Sequence, residues 1–114
     1  MSSRDKTDHQ RFETLKRAVC DVGPIRRGSV VRRFKPCGKP GCRCQAKPPQ
    51  LHGPYYQWTR YLRGKTVTVR LTEEEAEHIR EWIENGRKLN RIVAEMEKLS
   101  LRMTDRLLRQ LKPA

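Results

Sequence analysis

A chain of 114 residues with 35% hydrophobic residues and a mean hydropathy of -0.91 is expected to form one domain with a small apolar core, of the kind that often adds a metal, a disulfide or a partner chain. No apolar run approaches the roughly 18 residues of a membrane-spanning helix, and Met1–Gln10 lacks an apolar signal segment, so the expected compartment is the cytoplasm, where structural disulfides are rare. The net charge of +13 lies entirely before Thr72, while the acids and bases after it balance; a polyanion, nucleic acid first, is the natural partner of such a surface.

Met1–Gln10 is polar and is expected to be disordered. From Arg11 onward Phe12, Leu15, Val19 and Val22 recur at helical spacing with Ala18 beside them, predicting a short helix that stops at Gly23-Pro24. Cys20 falls on this helix, apart from the other cysteines, and reads as a small buried or half-buried residue rather than a ligand. Gly28 to Lys35, G-S-V-V-R-R-F-K, is a strand by composition. It delivers the chain into Pro36 to Tyr56, which holds Cys37, Cys42, Cys44 and His52 among five prolines and three glycines. Such a stretch is neither helix nor central strand.

Tyr55 to Leu71 is the predicted hairpin, two runs of aromatic and β-branched residues on either side of Arg63-Gly64. Pairing Leu62 with Lys65 collects Tyr56, Trp58, Leu62, Val67, Val69 and Leu71 on one face, the expected core. The other face holds Tyr55, Gln57, Thr59, Tyr61, Thr66, Thr68 and Arg70, with no acid. Thr72-Glu73-Glu74-Glu75 is a capping box, its acids at the positive end of the helix dipole. A helical pattern follows to about Leu111. Ala76, Ile79, Trp82 and Ile83 suit the hairpin's apolar face, and Asn85-Gly86 is a weak point. Beyond it Leu89, Ile92, Met96, Leu99 and Met103 recur at spacings of three and four, continued by Leu107 and Leu111. An unbroken helix would run roughly 58 Å at about 1.5 Å per residue. Its second half is therefore expected to bury its stripe against a second copy as a coiled coil, or else to fold back near Ser100.

The expected fold is α+β: a short N-terminal helix, a small three-stranded antiparallel sheet with a Cys/His-rich loop, and a long C-terminal helix packed on the sheet. The expected organisation is a disordered stretch over 1–10, the α+β domain over 11–86 and a helical extension over 87–114.

The loop spacing is C-x4-C-x-C-x7-H. Zinc takes Cys thiolate and His imidazole in tetrahedral sets of four, so Cys37, Cys42, Cys44 and His52 are the candidate ligands. Lys35, Lys39, Arg43 and Lys47 surround the thiols and favour thiolate. The spacing is not that of a standard finger, and Cys42 and Cys44 are strained as joint ligands in an extended chain. Three free thiols in a turn-rich loop therefore stand as the other reading. A redox pair would be C-x-x-C within a βαβ pattern, and neither is present; no oxyanion element or orienting group accompanies a cysteine nucleophile. No enzyme is expected.

A ribbon of strands can enter a major groove, where Arg and Gln read base edges and Thr contacts phosphate or thymine methyl. Gln57, Thr59, Tyr61, Thr66, Thr68 and Arg70 are the candidate readers; Arg26, Arg27, Arg32, Arg33, Lys35, Lys39, Arg43 and Lys47 are the candidate phosphate contacts. The expected function is a non-enzymatic nucleic-acid-binding module, DNA over RNA, zinc-stabilised and homodimeric through its C-terminal helix, with no membrane partner. The alternatives are a protein-interaction adaptor using that helix and a thiol-dependent redox protein.

Cys37-Gly38-Lys39, Cys42-Arg43-Cys44, His52-Gly53-Pro54-Tyr55-Tyr56, Trp58, Gly64-Lys65-Thr66 and the Glu74 to Asn85 helix with Trp82 together make a distinctive order of motifs. Over about Gly28 to Val93 the chain resembles a small bacterial domain-of-unknown-function family with a C-G-K-x-x-C-x-C … H-G-P-Y-Y-x-W signature. The resemblance implies a prokaryotic cytosolic protein and brings no catalytic residues with it.

Overall fold

A computed structural model describes residues 3–113. The elements run α1 (Ser3–Cys20), β1 (Ser29–Lys35), a 3-10 turn (Arg43–Gln45), β2 (His52–Leu62), β3 (Lys65–Leu71) and α2 (Glu73–Leu111). The fold is α+β, as the pattern predicts. The chain divides into two units: Ile25–Glu84 holds the sheet, the Cys/His loop and the first turns of α2, and the other joins α1 to α2 from Asn85 onward.

In the sheet unit the strands lie in the order β1-β2-β3 and all pair antiparallel. The β2–β3 register is the expected one, with Leu62 opposite Lys65, Trp58 opposite Val69 and Tyr56 opposite Leu71. The turn between them takes Arg63 at φ 50° and Gly64 at φ 81°, the two positive φ values of a tight hairpin turn. Tyr56 and Trp58 are buried, and so are Ala76 and Ile83 of α2. The Tyr56 hydroxyl donates to Glu73 at 3.5 Å, and the Arg80 guanidinium lies over the Tyr56 ring.

The rest of the expected apolar face is less covered: Leu62 is 46% and Val69 37% exposed. An arginine, Arg60, occupies that face between Trp58 and Leu62, so the apolar stripe is interrupted where the sequence pattern suggested continuity. The capping box forms as read, the Thr72 N–H donating to Glu75 at 2.9 Å and the Glu75 N–H to the Thr72 hydroxyl at 3.1 Å.

The helical unit corrects two expectations. Residues 3–10 are not a disordered tail but the first half of α1, while Met1 and Ser2 lie outside the described residues. The hydrophobic pattern missed this half because ion pairs hold it. Asp8 is buried and pairs with Arg106 and with Arg102; Arg106 also reaches Asp5 at 2.6 Å, and Arg11 meets Glu95 at 2.6 Å. The Arg106 guanidinium, ahead of the Arg102 one, outweighs burial and holds the Asp8 carboxyl below its ordinary range.

The second correction concerns the α2 stripe. Ile92 and Leu99 form a buried cluster with Leu15 of α1, and Phe12, Ala18, Val19, Val22 and Met96 pack against it. This part of the α2 stripe is thus covered by α1 of the same chain, and α1 shares its compact unit with α2 from Asn85 onward. Nor does α2 break at Asn85-Gly86 or turn back at Ser100. At the supposed weak point the Asn85 amide donates to the Pro24 carbonyl at 2.9 Å, and tertiary contacts offset the low helix propensity of glycine. No helix among the described residues is long and apolar enough to cross a membrane.

Candidate metal centre and basic face

Local backbone chemistry brings the four predicted ligands together. Pro54 has no N–H to give to a ladder, so β2 can accommodate it only at an irregularity. The register shifts there: Arg33 pairs with Tyr55 but Lys35 pairs with His52, leaving one extra residue on β2. Gly53, at the bulge, takes φ 141°, and a Cβ on it would sit 2.7 Å from the Arg33 carbonyl oxygen. Only glycine fits that approach, and the bulge brings His52 opposite Lys35, where unbroken pairing would place it opposite Pro36. On the other side the 3-10 turn folds the chain between Cys42 and Cys44, which removes the strain an extended C-x-C pair would impose.

The result is a compact cluster. The ligand atoms of Cys37, Cys42, Cys44 and His52 lie within 4.8 Å of one another. Cys37 Sγ is 3.4 Å from Cys44 Sγ, and Cys42 Sγ is 3.0 Å from His52 Nε2. Donors around a tetrahedral ion with bonds of ~2.3 Å are separated by about 3.8 Å, so small side-chain adjustments would seat an ion among these four. Cys44 is buried and the other three are half-buried, as a closed structural site requires. The cluster could therefore hold a metal ion.

Hydrogen bonds also fix the cluster residues in place. The Cys37 N–H donates to Cys44 Sγ at 3.2 Å, and the Gln45 amide donates to the Cys37 carbonyl at 2.9 Å. The Cys42 thiol is pulled down to about 6, first by the Cys44 backbone N–H, then by hydrogen bonds with the Cys37 thiol and His52. For Cys37 the Lys39 backbone N–H pulls downward, but the bonds with Cys44 and Cys42, together with burial, outweigh it and the thiol is raised. Hydrogen bonds lead these shifts, rather than the charges of the flanking Lys35, Lys39, Arg43 and Lys47 that the sequence suggested. Cys20 is exposed at the end of α1 and takes no part in the cluster, though it is less buried than expected.

The candidate nucleic-acid residues separate into groups. Gln57 pairs with Arg70, Thr59 with Thr68 and Tyr61 with Thr66, so these six share one face of the sheet, joined by Arg33 opposite Tyr55. The Thr59 and Thr68 hydroxyls are 3.1 Å apart, and the Arg70 guanidinium stacks on Tyr55 at 4.0 Å. Lys35, at the end of β1, adjoins the loop that carries Lys39, Arg43 and Lys47. Arg32 is not part of that face; it is opposite Tyr56, on the buried side, with its guanidinium over Phe34. Arg26 lies over Trp58. Two residues of interest escaped the sequence pattern: Gln45, whose role depends on where the loop folds, and Arg60, whose signal was a cation inside an otherwise apolar alternation.

Residues 9–81 match the family described as Domain of unknown function (DUF6788). The chain belongs to that family. The match covers most of α1, the whole sheet, all four cluster residues and the start of α2, beginning earlier and ending sooner than the resemblance read from the motifs. No curated protein and no solved structure matches this DUF6788 chain.

Proposed function

We propose that this chain is a non-enzymatic nucleic-acid-binding module, with its Cys3His loop held by zinc and its C-terminal helix joining two copies. The observation that carries the proposal is the acid-free sheet face. Gln57, Thr59, Tyr61, Thr66, Thr68 and Arg70 stand side by side on paired strands, next to Arg33. Donors of this kind meet both phosphates and base edges, and an antiparallel ribbon is a known way into a major groove. Three sulfur donors and one imidazole, one of the thiols already lowered to about 6, make a soft set that suits zinc. Self-association draws on Leu101, Leu107, Leu108 and Leu111, which stay exposed on α2 after α1 has taken its share of the stripe.

The test combines metal content and salt-dependent binding on the full chain. Protein purified without chelator is expected to carry one zinc per chain by elemental analysis. Its affinity for a duplex DNA is expected to fall about a hundredfold between ~50 and ~200 mM salt if some four phosphates are contacted. Absence of binding at ~50 mM salt would sink the nucleic-acid part, and equal or tighter binding of duplex RNA would overturn the preference for DNA. Fast alkylation of Cys37, Cys42 and Cys44, unchanged by chelator, would instead mean reactive free thiols. Sedimentation that stays monomeric at all concentrations would remove the dimer.

A further inference from the structure

Arg60 is the one arginine of β2, and it stands on the buried side of the strand with Trp58 and Leu62. Its guanidinium lies over the Trp58 ring, 4.1 Å from the centroid, and the Arg26 guanidinium lies over the same ring at 4.7 Å. Stacking engages the flat faces of these groups and leaves their in-plane N–H donors to be satisfied elsewhere. Arg60 Nε and Nη1 are shut off from solvent, and neither has a hydrogen-bond partner. Buried donors are rarely left so, and two like charges on one ring repel each other.

The same group of residues borders an open space. Arg26, Arg27 and Arg60, with Ile25, Tyr61 and Leu62, line a cavity of about 290 Å³ that no carboxylate lines. Its rim is held in place. The Trp58 indole N–H donates to the Arg27 carbonyl at 3.0 Å, and the Arg26 N–H donates to the Trp82 carbonyl at 3.1 Å. Gly28, at φ 111°, lies so close to β2 that a Cβ would meet the Thr59 carbonyl oxygen at 2.3 Å. Three arginines thus line one cavity on a rim held by backbone hydrogen bonds, and a set of arginines without a carboxylate is the arrangement that recognises an oxyanion.

We propose that this cavity is a phosphoryl-binding site lined by Arg26, Arg27 and Arg60. The site goes beyond the sheet-face reading and does not depend on it, because the phosphoryl group can come from a free phosphate or from a nucleic-acid backbone. The experiment is a titration of the full chain with inorganic phosphate at constant ionic strength, followed by the Trp58 indole and Gly28 amide resonances. Saturable shifts are expected in the wild type. They should weaken at least tenfold in Arg60→Gln, and also in the Arg26→Gln/Arg27→Gln variant, whose changes lie on exposed positions and leave the sheet folded. Shifts that are linear in phosphate, or the same in that double variant as in the wild type, overturn the proposal. A duplex DNA titration then assigns the source: shifts at the same two resonances identify a backbone phosphate. Shifts with phosphate but not with DNA identify a free phosphate ligand, an outcome that supports this site whatever becomes of the sheet face.

Discussion

Gly53 and the four cluster residues are where single atoms decide the outcome. A Cβ at Gly53 would press on the Arg33 carbonyl and would adopt φ 141°, a region that L side chains avoid. Gly53→Ala is therefore expected to destabilise the fold by about 1–3 kcal/mol in chemical denaturation and to weaken metal uptake with it. Gly38 is the control: a Cβ there meets nothing within 4 Å, and Gly38→Ala should change stability by no more than about 0.5 kcal/mol. The thiols divide in the same way. Cys44→Ser removes the buried thiol of the cluster and should abolish the stoichiometric metal read by elemental analysis, whereas Cys20→Ser, at the exposed end of α1, should retain it. A protein in which both variants keep the metal would place the ion elsewhere.

At the scale of elements, the start of α2 and the α1–α2 contact are held by different forces. The capping box satisfies two backbone donors through one hydroxyl and one carboxylate. Thr72→Ala should cost about 1 kcal/mol, read as a lowered denaturation midpoint. The Thr72 backbone N–H, and then its hydroxyl, hold the Glu75 carboxyl below its ordinary value of 4.5. Because the folded value is the lower one, this contribution is complete above pH 4.5 and is lost as pH falls through the depressed folded value. Glu75→Gln should therefore be less stable than the wild type at neutral pH, and the gap should close in acid. The contact between α1 and α2 is instead mainly apolar at its centre. Leu15→Ala opens a hole beside Ile92 and Leu99 and is expected to cost about 3 kcal/mol.

For the whole molecule, the two units have different dependences. The helical unit adds ion pairs to its apolar centre, with Asp8 buried between Arg102 and Arg106. The Asp8 carboxyl is held low, so its pairing contributes fully above the ordinary carboxylate range and fades as pH falls through its depressed value. Hydrogen exchange is expected to show residues 3–10 losing protection in acid before the β2–β3 ladder does. Simultaneous loss in both would mean one cooperative unit. The sheet unit should respond to chelator instead, because a bound metal would close the loop between β1 and β2. If chelator leaves exchange in β1 and His52 unchanged, the cluster holds no structural ion.

The sequence by itself determined the elements that repeat a local rule. The hairpin register followed from alternation, the α2 start from Thr72 and Glu75, and the candidate ligand set from a spacing that put three thiols and an imidazole in one loop. Each of those depends on residues close together in the chain, where a fixed period or a fixed reach is enough. Tertiary structure alone decided which partner covers the α2 stripe, because α1 meets Ile92 and Leu99 across some eighty residues of chain and its first half is held by charge rather than by apolar period. It alone decided that Arg60 sits with its inner donors unpaired over Trp58, since alternation assigns a residue to a face but not a partner to its hydrogen bonds. The Cys/His loop lies between the two cases. Its candidate ligands were legible one by one, but their meeting within 4.8 Å needed the bulge at Gly53-Pro54 and the turn at Arg43–Gln45.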